Sequence, residues 1–355
     1  MKIILRSGAV TAAVGVGLSL AVLPAGPANA AGGTHVRCND ITGLVNAINQ
    51  ANANANGGRI ILAPRCTYTL TAPENADDGL PEITGNVTVS GRDTTIRRGP
   101  DATQDFRILH VASGGTLTLN SLKISGGSLG TGLSGGGVSN NSGTLNLNRT
   151  VVKGNTADTG GGVFSFGGRL NLVRSTVEGN TANSFGGGVV NDGAGTMTMK
   201  DGALLRNRAV TSNGGGLENI LGTASLESVS VRGNTAVVGG GIRNTNGSTL
   251  RLKSTTVRDN VAVSGAGISN NSLLGSSTVT LVRSLVTRNT AIGAGGGILN
   301  EPGGQVTLKA SRVIRNFPDN CSPEGSVPGC TDPAGTVTPP DSEFTPPADD
   351  IKPRK

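Results

Sequence analysis

The sequence predicts an all-β fold, a three-sheet parallel β-helix closed at its start by a short capping helix. Three observations carry this. First, a small-residue triplet followed by one aliphatic residue occurs seven times, at Gly135–Val138, Gly160–Val163, Gly186–Val189, Gly214–Leu217, Gly239–Ile242, Gly265–Ile268 and Gly295–Ile298. The last glycines fall at 137, 162, 188, 216, 241, 267 and 297, a near-constant step that marks a solenoid. Second, each repeat carries three strand-like pieces. One follows the glycines, one alternates as in Leu145-Asn146-Leu147 or Leu250-Arg251-Leu252, and one centres on Val152, Val177, Leu204, Val231, Val257, Val286 or Val313. Third, an Asn closes each third piece, at 155, 180, 207, 234, 260, 289 and 316. Stacked at ~4.8 Å per coil, these become a continuous column, in which amides bond to one another and a left-handed bend is tolerated. A second column through Asn140, Asn191, Asn219, Asn244, Asn270 and Asn300 is interrupted by Ser165.

The elements follow in order. Lys2 and Arg6, the apolar run Ala9–Val22, Pro24 and the ending Ala28-Asn29-Ala30 read as a signal peptide over residues 1–30. No second apolar stretch follows, so an exported, extracellular protein without a membrane span is expected, either free or wall-associated. Loss of Lys2 and Arg6 would reduce the formal charge of +7 by two, leaving a mild basic excess. Residues 31–134 form a cap and irregular first coils. Asp40 caps a helix that places Ile41, Leu44, Val45 and Ile48 on one face, and Gly57-Gly58 ends it. Such a cap covers core and strand edges at the open end of a solenoid. Arg59–Leu62, Tyr68–Leu70, Val87–Val89, Ile108–Val111 and Thr116–Leu119 supply the early strands. Residues 135–317 are the regular repeats, 318–332 a clipped end, and 333–355 a Pro-rich tail expected to be disordered.

Four cysteines flank the repeats, and none lies inside them. In an oxidising compartment the expectation is Cys38–Cys66 and Cys321–Cys330, one clip at each end. Metal binding is the competing use, but the spacings do not suit zinc and the chain has only two His. Neither a metal nor a cofactor is expected.

The pairing of Gly161-Gly162-Val163 with Val177-Glu178-Gly179-Asn180, repeated in other coils, resembles secreted β-helix proteins of the pectin-lyase-like superfamily. The repeats look most like those of polymorphic outer membrane proteins. The resemblance covers roughly residues 35 to 320 and implies a right-handed helix, in agreement with the chirality of parallel crossovers. It is specific for fold but not for function, because the superfamily includes lyases, hydrolases, esterases and adhesins.

The catalytic motifs of those enzymes are missing. There is no Gly-His-Gly, Asp78 ends an Asp-Asp pair outside the regular coils, and acids within the repeats occur singly. The longest bend, Asn270–Ser277, is short, and aromatics are 2% of the chain. His110 is read as a surface or turn residue. The expectation is therefore a non-catalytic, adhesin-like or glycan-binding protein of the cell surface or matrix; the alternative is a divergent lyase or glycoside hydrolase acting on acidic glycans.

Two surface features stand out. Lys153, Arg206, Arg232, Arg258, Arg288 and Arg315 lie one or two places before the closing Asn and would form a basic ladder, with Glu178 replacing the base in one coil. Such a ladder suits a linear anionic glycan or cell-wall polymer better than nucleic acid, or it is simply a solvated edge. Phe164, Phe166, Phe185 and Val190 form a candidate apolar patch. Glu227 with Lys253 and Glu218 with Arg243 are expected cross-coil pairs.

Overall fold

In the computed structural model of the chain, residues 32–332 are described. The expected signal peptide and Pro-rich tail lie outside the described residues. The molecule is a right-handed parallel β-helix of three sheets, and the one helix among the described residues lies ahead of the first coils. That helix runs Ile41–Ala53, with Asp40 accepting a hydrogen bond from the Gly43 N–H at 2.7 Å. It stops at Asn54, ahead of the Gly57-Gly58 stop read from sequence, and buries Leu44, Ala47, Ile48 and Ala51. A strand not foreseen, Thr34–Val36, pairs with Gly58–Leu62 and helps close the end. The fully buried Tyr68 ties both: its hydroxyl donates to Val36 O at 2.9 Å and accepts from Ala63 N at 3.0 Å.

The three sheets differ in make-up from the sequence expectation. The second and third strand-like pieces of each coil belong to a single 19-stranded sheet, bent between them. The bend falls on residues of positive φ, among them Ser121, Arg149, Arg174, Asp201 and Ser228. A nine-stranded sheet holds the pieces after the glycines. The third sheet has six very short strands, from Thr156–Ala157 to Thr290–Ala291, and escaped sequence reading because most are two residues long. Its buried Ala157, Ala182, Ala209, Ala236, Ala262 and Ala291 bring the chain close to the next corner.

The glycines of a triplet do two different jobs. Gly160 sits at φ +64°, a left-handed turn that only glycine adopts freely. A Cβ on Gly161 would lie 2.3 Å from Thr181 O, and one on Gly162 would lie 2.6 Å from Gly188 O. These two positions therefore fix how closely coils stack.

The first Asn column is a fully bonded ladder. Asn155 Nδ2 donates to Asn180 Oδ1 at 2.9 Å, Asn180 to Asn207 at 3.0 Å, and Asn207 to Asn234 at 3.1 Å. Each amide also donates to a carbonyl of the preceding coil, as Asn234 does to Leu204 O at 3.0 Å. The left-handed residue is not the Asn, however. It is the residue before it, in Gly154, Gly179, Arg206, Gly233, Asp259, Arg288 and Arg315. The ladder ends on Asn320, which receives from Asn316 Nδ2 at 3.2 Å and precedes Cys321. Both clips have the expected pairing, Cys38–Cys66 and Cys321–Cys330.

Candidate functional site

The nine-stranded sheet presents a row of outward positions, one per coil. In register this row reads His110, Ser139, Phe164, Val190, Glu218, Arg243, Ser269 and Leu299. Ser139, small and placed between His110 and Phe164, leaves a dip. That dip is a groove of about 450 Å³ lined by Arg107, His110, Ser139, Asn141, Phe164 and Phe166, with Leu133 and Ser134 as a wall.

The wall is held from two sides. Asp158 Oδ2 accepts from Gly132 N at 3.1 Å, and Asp158 N donates to Leu133 O at 3.1 Å. Arg107 Nε donates to Ser134 O at 3.2 Å. Phe166, 45% exposed, lies over Gly193, where a Cβ would come within 2.7 Å of the ring.

At the groove's cap-side end lies a polar cluster that sequence reasoning missed. Asp78, only 4% exposed, uses Oδ1 to accept from Arg107 Nη1 at 2.5 Å and Oδ2 to accept from Asn75 Nδ2 at 2.9 Å. His110 Nδ1 lies 3.4 Å from Asp78 Oδ2 and 3.4 Å from Glu82 Oε1. Burial opposes ionisation of Asp78, but the His110 hydrogen bond, the Arg107 charge and Asn75 together outweigh it and hold its pKa below the ordinary aspartate value. Two carboxylates face Nδ1, which favours the tautomer that donates from that nitrogen. Nε2 then has no hydrogen-bond partner among the described residues. A His oriented in this way is suited to hydrogen-bond a ligand hydroxyl or to move a proton. His110 lies in the strand Leu109–Val111, not in a turn, and its ring is partly exposed.

The other sequence candidates fall elsewhere. Val190 pairs with Phe164 as expected but is fully buried, covered by the turn at Gly186. It is not part of a surface patch. Phe185 is 36% exposed and does not line the groove.

The basic ladder divides into two columns. Lys153, Arg232 and Arg258 share a register row with Glu178, while Arg206, Arg288 and Arg315 occupy the left-handed corner together with Asp259. Asp259 sits at 3.1 Å from Arg232, 3.0 Å from Arg258 and 2.8 Å from Arg288, and Glu178 takes Arg206 at 2.6 Å. Six cations therefore face two carboxylates that already engage four of them.

Both expected cross-coil pairs form. Lys253 meets Glu227 at 2.5 Å on the surface. Arg243 Nη1 donates to Glu218 Oε1 at 3.1 Å, but Glu218 is fully buried rather than a surface partner. Its Oε2, Arg243 Nε and Ser269 Oγ lack hydrogen-bond partners among the described residues.

No family model, curated protein or solved structure gives a significant match to the chain.

Proposed function

We propose that the protein is an exported, non-catalytic, glycan-binding β-helix of the cell surface or matrix, and that the groove between His110 and Phe166 holds the saccharide. The observation that carries this is the grouping of Phe164 and Phe166, two of only six Phe in the chain, beside Arg107, His110 and Asn141. Sugar rings bind where flat apolar faces lie next to fixed hydrogen-bonding groups, and this groove offers both. The signal-like N-terminus, the two disulfides and the likeness of the repeats to secreted pectin-lyase-like proteins support the extracellular setting. The basic ladder supports an anionic glycan or cell-wall polymer as the partner, with its net excess of positive charge along one edge.

Binding of the mature protein to a panel of immobilised neutral and acidic glycans tests this, with Phe166→Ala as the comparison. Loss of a wild-type signal in the variant is expected. Unchanged binding in Phe166→Ala contradicts the groove.

A second reading, a divergent glycan lyase or hydrolase, is favoured by the placement of His110 Nδ1 between Asp78 and Glu82. Its test is release of new reducing ends from acidic glycans. Turnover abolished by His110→Ala would establish it over the binding reading.

A further inference from the structure

A second cleft, of about 430 Å³, opens at the bend of the long sheet. Its origin is a register irregularity in the strand Asn86–Arg98. Ser90 pairs with Asn120 and Thr94 with Leu122, so Gly91, Arg92 and Asp93 together oppose the single residue Ser121. Such a bulge re-aims side chains and ends regular pairing locally. Here it turns Arg92 and Asp93 into one wall. Lys123, in register between Thr95 and Val151, and Arg149, one coil beyond Ser121, make the other.

The electrostatics differ from those of the ladder. Among the described residues, none of Arg92, Lys123 and Arg149 is in an ion pair. Arg149 Nε donates to Ser121 Oγ at 3.3 Å, which positions the guanidinium and leaves its terminal nitrogens available. Asp93 is the only carboxylate lining the cleft, so cations outnumber it three to one. Two guanidinium forks, an ammonium and the hydroxyls of Ser121 and Thr95 form a donor set suited to an oxyanion with several acceptor oxygens.

We propose that this cleft binds a sulfate or phosphate group. The inference stands apart from the saccharide groove, because the two sites share no residue. The group arrives either as an ester on a glycan or as the free anion, and both present the same tetrahedral oxyanion.

Calorimetric titration with four probes tests the proposal: inorganic sulfate, inorganic phosphate, a sulfated hexasaccharide and its desulfated counterpart. The comparison is with Lys123→Gln/Arg149→Gln, with circular dichroism and intact disulfides confirming its fold, and with Arg232→Gln/Arg258→Gln and Phe166→Ala as controls. The expected result is salt-sensitive binding of the sulfated hexasaccharide or a free anion, weakened about tenfold or more in Lys123→Gln/Arg149→Gln. The ladder variant and Phe166→Ala are expected to keep free-anion binding and the preference for the sulfated over the desulfated hexasaccharide, while Phe166→Ala weakens both hexasaccharides alike through the saccharide groove. Preference for the hexasaccharide over inorganic sulfate and phosphate identifies an ester as the source, and equal binding identifies the free anion. The proposal is overturned if no oxyanion probe binds, if sulfated and desulfated hexasaccharides bind alike while neither free anion binds, or if Lys123→Gln/Arg149→Gln binds within twofold of wild type.

Discussion

Ser165 lies one coil before Asn191 in register, and its hydroxyl leaves the Asn191 Oδ1 without a donor among the described residues. Elsewhere in this column each amide serves the next: Asn191 donates to Asn219 at 2.8 Å and Asn219 to Asn244 at 2.8 Å. Ser165 accepts from Asn140 Nδ2 at 2.9 Å but does not pass the chain on. Asn140 Oδ1 is orphaned for a parallel reason, since the register partner before it is Val111, which offers no side-chain donor.

Ser165→Asn is therefore expected to join the two halves of the column and to stabilise the protein by about 1 kcal/mol. A denaturation midpoint that rises without a change in slope would bear this out. A lower midpoint would show that the groove-side coil has no room for the larger amide.

The first Asn ladder makes the opposite prediction. Asn234 Oδ1 accepts from Asn207 N at 2.9 Å and from Asn207 Nδ2 at 3.1 Å, while its Nδ2 donates to Leu204 O and to Asn260 Oδ1. Asn234→Ala strands buried partners in two neighbouring coils. A loss of about 3 kcal/mol or more is expected in chemical unfolding. A loss below ~1 kcal/mol would mean that the ladder contributes little.

Glu218 links stability to pH. Burial pushes its pKa up to about 8, against the opposing pull of Arg243, with Asp192 adding to the rise. The raised value means that the folded state holds a proton that the unfolded chain gives up near pH 4.5. The contribution of Glu218 is then fully present below that pH and is lost as pH rises through about 8. Glu218→Gln mimics the protonated form at every pH. Its melting temperature is expected to match wild type near pH 5 and to exceed it by several degrees at pH 8 to 9. Parallel melting curves against pH for the two proteins would refute this.

The disulfides give a graded expectation. Cys38–Cys66 closes a 28-residue separation and Cys321–Cys330 one of 9. On chain-entropy grounds, replacing the first pair with Ser costs about 3.5 kcal/mol and the second about 2.5 kcal/mol. Urea midpoints of the two double variants check the order, and equal or reversed losses would contradict it.

Sequence legibility followed periodicity. The columns of Val163, Val189 and Leu217, or of Asn180, Asn207 and Asn234, repeat often enough to fix fold and register together. Two-residue strands such as Thr181–Ala182 carry too little pattern to be seen. The groove was half legible: Phe164 and Phe166 stood out as a candidate apolar patch, in the coil where Ser165 interrupts an Asn column. Asp78 and His110 did not, because they lie 32 residues apart in irregular coils where no repeat assigns a register. The bulge at Ser90–Thr94 was hidden for the same reason. The burial of Glu218 was missed because alternation places it on the outer face, where the turn at Gly214 and the Arg243 side chain lie against it.

The most direct test of the central claim compares three proteins on one glycan panel: wild type, Phe166→Ala, and Phe185→Ala, whose exposed ring lies outside the groove. Removing a stacking aromatic face is expected to weaken binding by about tenfold or more. The predicted result is a glycan class bound by wild type and Phe185→Ala and lost in Phe166→Ala. A panel with no binding, or one on which all three proteins bind equally, would contradict the assignment of this groove as the saccharide site.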